Sequence, residues 1–262
     1  MGAKLFAVLK KDALTSLRYR SGFVLATLAQ AAQLATFYFL SLAIGPQFRP
    51  DGMPYLLFLL VGTGFYTFLV AGMHSFLRTI QESQQAGTLE VLLTTSTPAP
   101  ALVVLNAISA FASGMLQFAV CILAAIYLFG HTLHINVIGF VIVFSLSLLI
   151  TLAIGLCIAG LQVATHKGSA LLWLLGSGSW LVSGTLFPTA ALPRVARVVA
   201  SCIPFTHSLS GMRLALLAGK TPGLLHEIEV LALFSLMLVP IGVGFFSWMV
   251  QQARQNGSLC FY

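Results

Sequence analysis

Charge is what this sequence has least of. Only 7% of its 262 residues are Asp, Glu, Lys or Arg and 58% are hydrophobic, whereas an ordinary soluble domain carries about 25% charged residues. A water-soluble globule of this length has too little interior to hide so much apolar surface. Acidic residues number six, and the only aspartates are Asp12 and Asp51, so the buried carboxylate that would hold magnesium in a nucleotide hydrolase is missing. Gly219-Lys220-Thr221 copies the end of a phosphate-binding loop, but Leu214 stands where the first glycine of that loop belongs. The chain is therefore expected not to hydrolyse ATP by itself. Cysteine is equally sparse, and Cys121, Cys157, Cys202 and Cys260 form no CxxC pair, which argues against a disulfide framework and a zinc site.

What fills the sequence instead is long uncharged runs. Six are present, at residues 23–44, 55–76, 101–129, 135–164, 169–187 and 228–250, interrupted only by Glu229 at the start of the last. A helical crossing of the hydrocarbon layer needs about 20 such residues, and the runs are continuous rather than alternating as barrel strands are. The fold class expected is an all-α integral membrane protein, one transmembrane domain over residues 1–262 with six spanning helices. Proton- and ion-coupled carriers need titratable groups inside the membrane, and these runs offer almost none. The net charge of +7 lies beside the runs rather than on one exposed face, which points to anionic lipid headgroups and away from nucleic acid.

Orientation follows from the basic residues. With both termini in the cytoplasm, eight (Lys4, Lys10, Lys11, Arg18, Arg20, Arg78, Lys167, Arg254) fall inside and five (Arg49, Arg194, Arg197, Arg213, Lys220) outside. Residues 1–22 read as an amphipathic helix in the interface, with Leu5, Phe6, Leu9, Ala13 and Leu17 on one side. A solvated lead-in is the alternative.

Two connections are longer than a turn. In the cytoplasmic segment 79–98, Thr88 can cap a short helix in which Glu90 meets the positive helix end and Leu89, Leu92 and Leu93 share a face. A helix of two turns is not stable alone in water, so it either docks on a partner or lies flat on headgroups. In segment 188–223, Pro193 starts a helix running to Cys202, with Val195, Val198, Val199 and Cys202 as its apolar face, and Pro204 separates it from a second over residues 206–218 that Gly219 ends. Both are too short to cross, and they are expected as external or re-entrant helices buried among the spans.

Polar residues within the runs, Gln30, Gln33, Asn106 and Gln117, with the aromatics Phe37, Phe65 and Tyr66, fit either glue between helices or a path for an amphiphilic substrate. His131 and His134 have a spacing that permits shared metal ligation, but no acid or cysteine accompanies them; an interfacial pair is the plainer reading, and no metal site is expected.

Ala86-Gly-Thr-Leu-Glu90-Val-Leu-Leu-Thr-Thr-Ser-Thr-Pro98 after the second run, with Phe187-Pro188, Leu192-Pro193, Ile203-Pro204-Phe205 and Gly211-Met-Arg213 before the last, resembles the ABC type-2 permeases. These are the membrane subunits of ATP-binding cassette exporters of drugs, antibiotics, lipooligosaccharides and polysaccharides. The similarity covers essentially the whole chain, and the Gly-Thr-Leu-Glu stretch favours the drug, antibiotic and lipid branch. The resemblance implies a location in the cell (plasma or inner) membrane and that segment 79–98 is a coupling helix, with Glu82, Gly87, Thr88, Leu89, Glu90, Leu92 and Leu93 contacting an ABC ATPase subunit. It implies two ATPase copies that carry the ATP and magnesium, none of it on this chain, together with a second permease copy or paralogue. Pro188, Pro193, Pro204, Phe205 and Arg213 would then shape an external gate. An ATP-independent channel or a membrane-embedded lipid-processing protein is the competing class.

Overall fold

The computed structural model describes residues 20–88, 99–127, 135–216 and 221–255. Residues 1–19, Leu89, Glu90, Leu92, Leu93, His131, His134, Gly219 and Lys220 lie outside that set, as do the side chains of Arg20 and Asn106. Among the described residues the chain is helical with no strand: α1 (Arg20–Ile44), α2 (Tyr55–Gln85), α3 (Ala99–Tyr127), α4 (Val137–Thr165), α5 (Gly168–Val182), α6 (Arg194–Ser201), α7 (Pro204–Leu216) and α8 (Thr221–Gln255). Three of these, α2, α4 and α8, are long and apolar enough to cross a membrane.

Helix α2 is the axis of the bundle. Apolar nearly all round as far as Phe76, it is enclosed by α1, α3, α4, α5 and α7. Phe58, Phe65, Phe68 and Phe76 along it are among the largest fully buried side chains. Phe65 and Phe68 pack with Phe111, Phe118 and Phe144 at ring separations of 5.0–6.1 Å. Helix α4 packs along α8, where Gly242 and Gly160 bring the two backbones together.

Helix α2 also runs beyond its apolar stretch, which ends at Phe76, and continues to Gln85 on i,i+4 support from Arg78 and Glu82, whose Nε and Oε1 are 2.6 Å apart. It then stops on a Schellman turn: Gly87, at φ 66°, donates to Gln84 O over 3.1 Å, and Thr88 N donates to Ser83 O over 3.0 Å. Within the described residues Thr88 thus closes the preceding helix.

Two expectations need correction. The fifth run was expected to cross as one helix over 169–187. Helix α5 instead stops at Val182, carries a π turn at Leu174–Gly178, and gives way to a turn in which Gly184 takes φ 81°. At 15 residues it is about 22 Å long, short of the ~30 Å hydrocarbon layer. The apolar face of α6 was expected to be buried among the spans. Val195, Val198 and Val199 are 79%, 64% and 49% exposed, and Ala200 alone is buried. The reason is geometric: Ala196 and Ala200 lie on one side, the valines on a second and Arg194, Arg197 and Ser201 on a third, and it is the alanine side, small enough for close approach, that meets the bundle.

Candidate functional site

An open cleft of about 530 Å³ lies between helices α2 and α5. Tyr66, Thr67, Val70, His74 and Leu77 line it from α2; Ser169, Leu172, Trp173, Gly176, Ser177 and Trp180 line it from α5. The α2 positions follow the 3.6-residue period, and Trp173 and Trp180 stand two turns apart on one face. The π turn is fastened across the cleft: Tyr66 Oη donates to Gly176 O over 2.5 Å and approaches Leu175 O at 3.4 Å. A wider turn exposes carbonyls that an α-helix would use internally. Trp173 is 70% exposed, so the wall combines flat aromatic surface with two serines, a threonine and an imidazole. Such a surface accepts a molecule that is apolar along most of its length and polar at a few points.

Of the seven residues singled out in sequence as a path, the side chain of Asn106 lies outside the described residues, and the other six fall in three places. Gln30, Gln33, Phe37 and Gln117 do meet, in a seam between α1, α2 and α3 that also contains Thr63 and Cys121. Gln117 Nε2 donates to Gln30 Oε1 over 2.7 Å and Gln30 Nε2 to Cys121 Sγ over 3.1 Å. The remaining void is about 10 Å³, room for roughly one water, so here the amides tie helices together. Phe65, 0% exposed, lies inside the aromatic stack, and Tyr66 faces the cleft instead. The tryptophans and His74 were not singled out in sequence as a path; the seven-residue repeat of Trp173 and Trp180 was the signal available.

One end of the bundle is closed around Arg213 of α7. Its side chain is buried, with Cζ stacked 3.5 Å from the centroid of the Phe58 ring. Nη1 donates to Gly184 O at 2.9 Å, and Nη2 to Thr185 O at 3.2 Å and Phe58 O at 3.3 Å. Gly62 makes this approach possible, since a Cβ there would collide with Nη2. Burial pushes the guanidinium down to about 9, with Asp51 pulling the other way, so it stays charged at neutral pH. Of the gate residues, Pro188 precedes the 3-10 turn Thr189–Ala191, Pro193 precedes α6 and Pro204 opens α7. Phe205 is buried edge-on against Tyr66 at 6.0 Å, which joins this end to the cleft. Tyr55 Oη adds a bond to Leu186 O at 3.1 Å.

At the same end His207 bridges α7 to α8 and α6. Nδ1 is 2.7 Å from Glu227 Oε2 and Nε2 is 3.0 Å from Ser201 O. Two acceptors favour the doubly protonated ring; the Glu227 hydrogen bond raises the His207 pKa first, the Ser201 carbonyl and the Glu227 charge add to it, and burial opposes. A raised folded value means the bridge stabilises fully below the ordinary histidine value near 6.5 and is lost as pH rises through the raised one. Glu227→Gln is accordingly expected to lower stability by about 1 kcal/mol at pH 6 and by less at pH 9. Thermal unfolding in detergent at the two pH values checks this, and an equal loss at both would refute it.

Of the proposed ATPase contacts, Glu82 is exposed on the last turns of α2, and Gly87 and Thr88 form its cap. The model of the family described as ABC-2 type transporter matches residues 3–217. Over 173 residues the chain is 28% identical to the probable multidrug ABC transporter permease YbhS of Escherichia coli (strain K12), and equally so to that of Escherichia coli O157:H7. The matched stretch is 65% of this chain and 44% of each relative, so the chain aligns with less than half the length of the curated relatives.

Proposed function

Since the chain belongs to the ABC-2 type transporter family, we propose that it is the permease subunit of an ATP-binding cassette exporter of amphiphilic molecules, driven by a separate ATPase. The observation that carries this reading is the tryptophan-walled cleft between α2 and α5, open to the side in an integral membrane protein, where a molecule dissolved in the bilayer can enter without passing through water. Scarcity of titratable groups along the apolar helices supports an external energy source. The multidrug description of the curated relatives agrees with an amphiphilic substrate.

In this reading six segments cross the membrane, the fifth being α5 together with the non-helical residues 183–187 that follow it, both termini are cytoplasmic, and a second permease completes the path. Glu82 and residues 87–97 dock in the ATPase, whose closure on ATP shifts the helices between two packings. Helix α6 lies in the outer interface, valines towards lipid and arginines towards headgroups.

The test is co-expression with a candidate ATPase subunit followed by purification through one tag. ATP hydrolysis is expected only from the pair, and Glu90→Lys or the double change Leu92→Asp, Leu93→Asp is expected to abolish copurification while leaving membrane insertion intact. Unchanged complex formation by these variants would sink the docking assignment. A parent chain that copurifies with no candidate would favour an ATP-independent protein.

A further inference from the structure

At the end of the bundle opposite Arg213, two glutamines tie three helix termini together. Gln84 on the last turn of α2 and Gln162 on the last turn of α4 are each 2% exposed. Gln162 Nε2 donates to Gln84 Oε1 over 3.0 Å. Gln84 Nε2 in turn reaches His166 Nδ1 at 3.1 Å and the backbone oxygen of Gln162 at 3.4 Å. The first N–H of α5, that of Gly168, donates to Gln162 Oε1 over 3.1 Å. Lys167, which precedes α5, supplies no side-chain cap, so α5 takes its cap from α4.

Each amide therefore serves a helix end other than its own. Gln84 adds a second donor to the Gln162 carbonyl at the end of α4, which already accepts His166 N over 3.1 Å, and Gln162 satisfies a terminal N–H of α5, a group that α5 cannot satisfy internally. Space is as tight as the bonding: a Cβ on Gly168 would lie 2.7 Å from Gln162 Cβ and 2.8 Å from Ile158 O. Burying two amides is costly unless their bonds are kept, so the three termini are held as a unit. Directly beyond Gln84 lies the Gly87 turn that leads into the segment 89–98, and directly beyond Gly168 lie Ser169, Leu172 and Trp173 of the cleft wall.

We propose that the Gln84–Gln162 amide pair is the joint through which displacement of the segment after α2 is passed to the α5 wall of the cleft. The proposal rests on the transporter reading above and adds to it the residues that carry the motion. Gln84 and Gln162 are positioning residues here, acting through the first turn of α5. A pair that merely stabilised the bundle would lower yield and melting temperature when removed. A joint, when removed, leaves an assembled and hydrolysing complex whose cleft no longer follows nucleotide.

The experiment uses the full chain purified with its ATPase subunit in lipid nanodiscs. Trp173 is the reporter, its emission isolated as the difference between each protein and the same protein carrying Trp173→Phe, with and without ATP and vanadate. In the parent, nucleotide is expected to shift this emission. In the double variant Gln84→Leu, Gln162→Leu, copurification and basal hydrolysis are expected to persist while the shift falls to less than half. Gln162→Glu keeps the acceptor for Gly168 N but loses the donor to Gln84, and is expected to lose the shift as well; it serves if the double variant fails to assemble. A full shift in an assembled variant, or no shift in the parent complex, overturns the joint. Failure of the parent to copurify overturns the transporter reading instead.

Discussion

Arg213→Leu is expected to destabilise the protein by about 3–5 kcal/mol, since it removes a buried cation that satisfies several backbone carbonyls at once. Leucine fills part of the volume against the Phe58 ring but leaves Gly184 O and Thr185 O facing an apolar side chain. Those two carbonyls belong to the turn after α5, outside any helix, so no helical N–H is available to replace the guanidinium. Arg213→Lys should recover only part of the loss, because an ammonium on a flexible stem can neither stack on Phe58 nor span the three carbonyls. Thermal unfolding of the purified chain in detergent measures both. A midpoint unchanged by Arg213→Leu would show that the carbonyls find other partners and that the nest is incidental.

A loss of about 3 kcal/mol or more is expected for Gly242→Leu. A Cβ at Gly242 would lie 2.6 Å from Ala153 O, 2.9 Å from its Cα and 3.0 Å from its carbonyl carbon. These are backbone atoms of α4, which cannot rotate away, so a side chain must push α8 off α4. Farther along the same contact, Gly160 faces the Phe246 Cα at 3.1 Å, and the separation would spread along the interface. Small residues permit this kind of backbone approach between helices in a membrane. Gly244, two positions on, has nothing within 4 Å of where a Cβ would lie, so Gly244→Ala should be neutral or stabilising, by up to about 1 kcal/mol from helix propensity. Equal melting temperatures for Gly242→Leu and Gly244→Ala would refute the packing argument.

The helical character and the membrane class were legible because they depend on composition over about 20 residues, which a window of sequence contains. Helix ends were less so. The extension of α2 to Gln85 is polar, and its support comes from the Arg78 and Glu82 pair and from Gln162, 78 positions away. The break in α5 has no proline to announce it; the π turn is held by Tyr66, which belongs to another helix. The valine stripe of α6 was read correctly as a stripe, but a stripe does not say what lies against it, and here the bundle chose the alanines. The site was half legible. The amides at 30, 33 and 117 do converge, yet the bonds of Gln30 and Gln117 close the seam, while the open cleft is lined by residues of α2 and α5 that are about 100 positions apart in sequence and meet only in the packed molecule.

The nest around Arg213 also bears on how the chain is made. Phe58 O, Gly184 O and Thr185 O are all supplied by residues translated before Arg213, the first of them 155 positions earlier. A charged side chain held in lipid during insertion costs roughly 2.5–3.5 kcal/mol. When Arg213 leaves the ribosome, its acceptors already have, so the cation can go from water into a finished shelter without waiting in hydrocarbon. Helix α8 follows α7 in the chain, and its Glu227 meets a His207 that was translated before it.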